Sequence, residues 1–413
     1  MWPYEVPGNW VWVKLIGGFA ECLDNFRKPI NATERAVRQG DIPYYGATGQ
    51  VGWIDDYLTD EHLVLVGEDG APFFDLIKDK AYIIEGKAWV NNHAHILRSF
   101  FGTTSNVFMM YYLNAFDYRG YVNGTTRLKL TQASMKTIPI PLPPLPEQHR
   151  IVARIESLFA KLDRAKELVQ AALDRFETRK AAILHQAFTG ELTAQWRAES
   201  GVGLDSWESQ KLGGLGTFKL GKMLDKAKNQ GTPTGYLRNV NVRWFSFELD
   251  DAKMAATESD KEVFSVKNGD LFICEGGEPG RCAIWATGDG DLIYQKALHR
   301  FRSNGAVISE LLMYYLYFSS ISGKLEQYFT GTTIKHLTGR SLAKIEIHLP
   351  TLYEQQETVR ILDSLLEKEH RARALCEGVI GQVDLMKKAI LARAFRGELG
   401  TGDASEIGMM GVE

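Results

Sequence analysis

From Ile151 onward the apolar residues return in alternating steps of four and three: Ile151, Ile155, Leu158, Leu162, Ala165, Val169, Ala172, Phe176 and, one heptad later, Ile183. That spacing lays an apolar stripe along one side of a helix, the seam of a coiled coil. The stripe comes back at Leu362, Leu365, Ala372, Cys376, Val379, Val383, Met386 and Ile390. Pro146 suits a first helical turn, where its missing N–H costs nothing, and Glu147 there complements the helix dipole. Gly190 and Gly397 are placed to stop the two helices. Two helices of about 40 residues would each run about 60 Å, and neither can bury its stripe alone. The pattern therefore predicts an antiparallel pair with the two intervening blocks at opposite ends.

The stripe recurs because the chain is duplicated. Residues 138–193 reappear without a gap at residues 345–400, shifted by 207 positions (345 − 138). Identities include Leu142/Leu349, Pro143/Pro350, Leu145/Leu352, Glu147/Glu354, Gln148/Gln355, Phe188/Phe395 and Gly190-Glu191-Leu192/Gly397-Glu398-Leu399. At the same shift Gly124-Thr125-Thr126 recurs as Gly331-Thr332-Thr333, and Leu130-Thr131 as Leu337-Thr338. Trp10 and Lys14-Leu15 match Trp207 and Lys211-Leu212 at a shift of 197, so the second half has gained ten residues in between. Two copies of one element imply two similar presentations to something else.

Between the repeats, residues 10–137 carry short strand-like runs (YYGATGQVGWID, HLVLVGED, AYIIEGKAWV) separated by turn signals. Residues 207–344 read similarly, with FSVKNGDLFICEGG, CAIWATGDGD and LIYQKALHRFR as strands and ISELLMYYLYFSSISGKLEQYF as a helix. The expected fold class is α+β: two variable domains joined by two long helices packed as an antiparallel coiled coil, with an internal pseudo-two-fold repeat. The expected divisions are 1–137, a first repeated segment at 138–193, a linker and second domain at 194–344, a second repeated segment at 345–400, and a flexible tail at 401–413. Apart from the Gly-Thr-Thr signature the two blocks share little sequence.

The chain has 413 residues, 45% of them hydrophobic and 24% charged, with a net charge of −3. No run of 18 apolar residues occurs and the start lacks a leader pattern, so a cytoplasmic protein without a membrane partner is expected. Cys22, Cys274, Cys282 and Cys376 show neither a disulfide framework nor zinc spacing. The slightly acidic balance does not exclude a nucleic-acid partner, because phosphate binding needs a local basic face and not a basic chain.

Two divergent blocks alternating with two copies of a helix that opens on the shared Leu-Pro and Glu-Gln residues and closes on Ala-Phe-x-Gly-Glu-Leu resemble the specificity subunit of type I DNA restriction–modification systems. The resemblance covers nearly the whole chain up to about residue 400. Within the blocks PYYGATGQVGWID and GKAWVNNHAH, then YLRNVNVRW and YQKALHR, resemble particular target-recognition domains of that family. It implies a non-catalytic reader of double-stranded DNA without a cofactor or metal. It also implies recruitment of methyltransferase subunits, two per chain, and of restriction/translocase subunits to a bipartite asymmetric site.

Reading base edges calls for Arg or Lys against guanine and Asn or Gln against adenine, with hydroxyls and cations on phosphates. The first block offers Tyr44, Tyr45, Thr48 and Gln50, then Asn91, Asn92, His93 and His95, then Thr125, Thr126, Arg127 and Lys129. The second offers Arg238, Asn239, Asn241 and Arg243, then Lys296, His299, Arg300 and Arg302, then Thr332, Thr333, Lys335 and His336. For any one of them a hydrogen-bonded structural role is the commoner reading. The two Gly-Thr-Thr stretches stand out because they fall at equivalent positions.

Other motifs are weaker. Gly216 to Lys222 has P-loop spacing, but Met223 stands where a hydroxyl must hold magnesium. Asp69, Asp75, Glu85 and Lys87 imitate the acid-then-ExK pattern of metal-dependent nucleases, which makes an endonuclease the alternative function. His93 and His95 could hold a metal, but no third ligand is indicated. The Pro143-Pro144 pair is followed by Leu145 and not by the aromatic residue of a methyltransferase tetrapeptide.

Overall fold

The computed structural model describes residues 3–75, 77–223, 225, 230–288, 290 and 292–402. The expected tail, apart from its first two residues, lies outside these. The chain forms two compact units, residues 1–171 with 376–413, and residues 172–375. Each therefore takes one variable block and a stretch of each repeated segment.

In the first unit a four-stranded sheet has the order Ala20–Cys22, Ala94–Ser99, Leu63–Gly67, Ala81–Ile84, all antiparallel. The run Leu63 to Val66 is apolar throughout because the strand is buried on both faces. Val64, Val66 and Leu97 face the helix Thr103–Ala115, while Leu63, Leu65 and Ile96 pack on the opposite side. There a second sheet is built around the hairpin Ile42–Gly46/Gly49–Ile54, whose first strand runs parallel to Lys87–Val90.

The second unit repeats this plan. Its sheet runs Gly216–Leu220, Leu298–Ser303, Leu271–Cys274, Cys282–Ile284, with Leu271 and Ile273 toward the helix Ser309–Ile321 and Phe272 and Cys274 away from it. Thr232–Leu237 pairs antiparallel with Lys253–Ala256 and parallel with Ile293–Tyr294, matching the second sheet of the first unit. Two blocks with little sequence in common thus share one topology. The connection that is only Ala47–Thr48 in the first unit is the stretch 238–252 in the second, which is where it gains length.

The repeated segment is helical in both copies. The second forms one helix, Leu352–Ala394. The first is interrupted at Asp174–Arg175, between helices Leu145–Leu173 and Phe176–Thr189, where the Arg175 N–H reaches back only three residues, to Ala172 O at 3.1 Å. Gly190 caps its helix with φ +79, and Gly397 follows the second with φ +74.

Cross-pairs run antiparallel within each unit. In the first, Lys387 meets Asp163 at 2.6 Å and Lys166 meets Asp384 at 3.3 Å. In the second, Arg373 meets Glu177 at 2.7 Å and Arg179 meets Glu369 at 2.9 Å. The expected seam residues are buried or half-buried except Val379 and Met386, which are exposed. The inward register slips by one there, so that Ile380 and Lys387 take those places, the lysine lying 5.0 Å from the Phe159 ring with its charge on Asp163.

Each unit closes on a buried Glu-Gln pair. Trp10 donates to Glu147 Oε2 at 2.9 Å, and Gln148 accepts from Ser105 and donates to Pro143 O. Trp207 donates to Glu354 Oε2 at 3.1 Å, and Gln355 accepts from Ile308 N and donates to Pro350 O. These contacts tie the first turn of each repeated helix to its domain.

Candidate nucleic-acid interface

The Gly-Thr-Thr signature is one loop made twice. In the first unit Asn123 pairs with Lys129 and the chain turns between them; in the second Thr330 and His336 exchange backbone hydrogen bonds of 2.8 and 2.9 Å across the equivalent turn. Gly124 (φ +110) and Gly331 (φ +89) open these turns, and a Cβ would lie 2.4 Å from Arg127 O and 2.2 Å from Ile334 O. The conformation demands glycine. Thr125, Thr126, Thr332 and Thr333 are exposed on the loops. Both loops are docked alike: Leu130 N donates to Glu68 O, and Leu337 N donates to Glu275 O, each at 2.7 Å.

Around the first loop the acidic pair Glu68-Asp69 gathers cations. Asp69 Oδ1 accepts from Arg127 Nη2 at 3.1 Å and faces His93 Nδ1 at 2.6 Å. Glu68 takes Lys129 at 2.9 Å and also Arg27. Burial alone would raise the Glu68 carboxyl, but Lys129 and Arg27 hold it below the usual range. Thr48 and Gln50 are exposed on the neighbouring hairpin and Asn92 is exposed in the turn before Ala94.

Around the second loop His336 lies over Gly276, its Nδ1 3.1 Å from where a Cβ would stand. Asn239 takes Arg281 on its carbonyl at 3.0 Å and Gln295 on its side-chain oxygen at 3.4 Å, with Lys296 exposed alongside. Arg238 is bound to Asp250, and Arg243 to Glu248 at 2.7 Å. The hydrogen bonds from Asn241 and then Arg238 hold Asp250 below the ordinary carboxylate range, and Arg243 does the same for Glu248.

Several of the candidates are buried or half-buried. Tyr44 is buried with Arg35 stacked 5.2 Å over its ring, and Tyr45 is half-buried beside Tyr82. The Asn91 side chain is buried and accepts from His93 N at 2.8 Å. Asn241 is buried and holds Arg238 N, Glu248 O and Asp250 together. His299 is buried, Arg300 donates to Ser265 O at 2.8 Å, and Arg302 is paired with Asp270. Most of these side chains are held by the protein itself; among the candidates Thr48, Gln50, Asn92, the two loops and Lys296 are exposed, and Arg238, Asn239 and Arg243 are half-exposed on the stretch 238–252. Arg27 and Arg281 escaped the sequence reading because each stands apart from the basic runs.

The nuclease-like acids are not brought together. The register of Leu63 with Ile84 and Val66 with Ala81 sends Asp69 and Glu85 off opposite ends of the same strand pair. Asp75 caps the backbone N–H groups of Ile77 and Lys78. Cys22, Asp24 and His95 cluster within metal-ligating reach, yet both His95 nitrogens are already engaged, with Asp24 at 2.7 Å and Leu130 O at 2.8 Å. The P-loop-like Gly216–Leu220 is a strand.

The family model for the type I restriction modification DNA specificity domain matches twice, over residues 7–171 and 205–373. The chain belongs to this family. Among relatives of the specificity family, a Haemophilus influenzae chain named as a type I restriction enzyme specificity subunit is 27% identical over 376 residues, 90% of this chain and 91% of the relative. The EcoKI specificity subunit of Escherichia coli is 26% identical over 286 residues, 65% of this chain and 59% of its own. The fold is that of the HsdS subunit from Thermoanaerobacter tengcongensis, with a TM-score of 0.64 at 18% identity, covering 96% of this chain and 99% of that one. As a specificity-family member the chain is a DNA-recognition component and not a catalyst, and nothing supports the endonuclease alternative. Among the described residues no helix is long and apolar enough to cross a membrane.

Proposed function

We propose that this chain reads a bipartite, asymmetric duplex DNA site for a type I restriction–modification complex, one half-site per variable block. The observation that carries this is the pair of Gly-Thr-Thr loops. Two blocks with one fold present the same loop on the same strand end, surrounded by different side chains. A shared loop supplies phosphate contacts that fix register, and the differing neighbours supply discrimination. In this reading 1–137 and 194–344 hold the recognition domains, 138–193 and 345–400 the repeated helices.

The partners are two methyltransferase subunits per chain, and restriction/translocase subunits, assembled in the cytoplasm where the genome lies. The repeated helices support the paired stoichiometry. Leu168 and Leu375 occupy equivalent positions and are 56% and 72% exposed, so each copy keeps a large apolar side chain outside its own seam.

Methylation mapping in a host carrying the system tests the reading. Replacing residues 10–137 by the corresponding block of a related chain should change one half of the methylated motif and leave the other intact. A swap that alters both halves, or neither, refutes it.

A further inference from the structure

Among the described residues Phe245 is the only non-glycine with positive φ, at +69, a region disfavoured for any side chain with a Cβ. It sits in the turn between Val242–Arg243 and Ser246–Phe247. Its ring lies 5.5 Å from Tyr314 and 4.9 Å from Tyr317, both on the helix Ser309–Ile321. Lys180 Nζ stands 5.3 Å from the same ring and 4.2 Å from that of Tyr317. The preceding Trp244 packs 4.9 Å from Tyr317 and donates its indole N–H to Glu278 at 2.6 Å. Glu278 also takes Arg281 at 2.8 Å, and Arg281 donates to Asn239 O at 3.0 Å.

The stretch 238–252 replaces the short Ala47–Thr48 connection of the first unit and carries Arg238, Asn239 and Arg243. It is clamped at its tip by the Trp244-Phe245 aromatic pair and near its base by Arg281. Packing of the ring on the Tyr314-Tyr317 cluster offsets the cost of the left-handed backbone, so the turn is held in one place. The strain is consistent with a segment that must not move.

We propose that Trp244 and Phe245 are positioning residues that lock this inserted segment, so that Arg238, Asn239 and Arg243 meet the bases of the second domain's half-site in one geometry. This rests on the DNA-reading function above.

The test uses the chain in complex with its methyltransferase. Binding is measured to duplexes carrying the mapped site, single-base variants of each half-site, and a non-specific sequence, for wild type, Phe245→Gly and Phe245→Tyr. Glycine accepts the φ but loses the ring; tyrosine keeps the ring. Phe245→Gly should reduce discrimination at the second domain's half-site about tenfold while the first half-site's discrimination and the non-specific affinity stay within about twofold, and Phe245→Tyr should retain wild-type discrimination. Unchanged discrimination in Phe245→Gly overturns the proposal, as does an equal loss at both half-sites. Should Phe245→Gly fail to assemble, Glu278→Ala decides: selective relaxation at the second half-site supports the lock and none overturns it. A wild-type complex without half-site preference would instead sink the DNA-reading function itself.

Discussion

The Arg197 guanidinium meets Glu354 Oε1 at 2.5 Å in a pocket where the carboxylate is fully buried. Thr193 donates to the same oxygen at 2.6 Å and Trp207 to the other at 3.1 Å, so the carboxylate is satisfied on both sides. Arg197 also donates to Gly190 O, which binds the end of the first repeated helix to the start of the second. Glu354→Ala would leave the guanidinium buried beside neutral partners, at a cost of about 3–5 kcal/mol. The double variant Arg197→Met/Glu354→Leu removes both charges and should recover most of that loss. Thermal unfolding of the two variants checks this, and a double variant as unstable as the single one would show that packing, not charge, dominates the site.

If the Gly-Thr-Thr loops meet DNA as proposed, their glycines should matter for binding. Gly331→Ala forces a Cβ to within 2.2 Å of Ile334 O at φ +89, so the loop must rearrange. Gly305 has a similar φ of +97 but open space around its Cα, and it follows the opposite end of the strand Leu298–Ser303 from Lys296. Both substitutions should lower stability by about 1 kcal/mol. Only Gly331→Ala should also weaken specific DNA binding, by tenfold or more. Equal DNA affinity in the two variants would remove the loop from the interface.

Much of this was legible in the sequence, and the exceptions have physical causes. The heptad spacing located both repeated helices, but it could not foresee the register slip that exposes Val379 and Met386 and turns Lys387 inward. A long lysine stem can fill an apolar position while its charge reaches a carboxylate on the facing helix. Glu147 and Glu354 read as ordinary first-turn acids, whereas both are buried partners of tryptophans that the repeat had already paired by position. The common sheet of the two blocks was hidden because burial on both faces constrains hydrophobicity and not identity. Asn241 and His299 belonged to suitable residue types in basic neighbourhoods. Residue type does not reveal whether a polar group's partner is the protein or a ligand, and here the protein holds Asn241 from three sides.

Phosphate and base contacts should separate by salt dependence. Lys335 is exposed on the second loop, and Lys296 is exposed just before the strand Leu298–Ser303. Lys335→Ala should weaken binding to all sequences alike and lower the slope of log affinity against log salt by about one. Arg243, whose guanidinium is held by Glu248 at 2.7 Å, is placed on the inserted segment and not on the loop. Arg243→Ala should cost about 1–3 kcal/mol at the cognate site and relax one base position. Titrations at several salt concentrations, with cognate and variant duplexes, distinguish the two. A sequence-dependent loss for Lys335→Ala would contradict the assignment.

His299 and His95 occupy matching strands, yet their surroundings differ. His95 has Asp24 and Leu130 O as partners, while the Nε2 atom of His299 is buried with no partner among the described residues. Burial pushes the His299 imidazole down from its ordinary 6.5 to about 4, against a hydrogen bond with the backbone of Leu337 that partly offsets it. Between those pH values the unfolded chain binds a proton that the folded chain refuses. Stability should therefore rise with pH across that window, be complete above it, and lose on the order of 3 kcal/mol toward its lower end. His299→Leu removes the titrating group and should flatten this part of the profile, whatever its effect at neutral pH. Melting curves of wild type and His299→Leu between pH 7.5 and 4.5 measure the difference. Parallel profiles for the two chains would mean that the imidazole is solvated or paired in the folded protein.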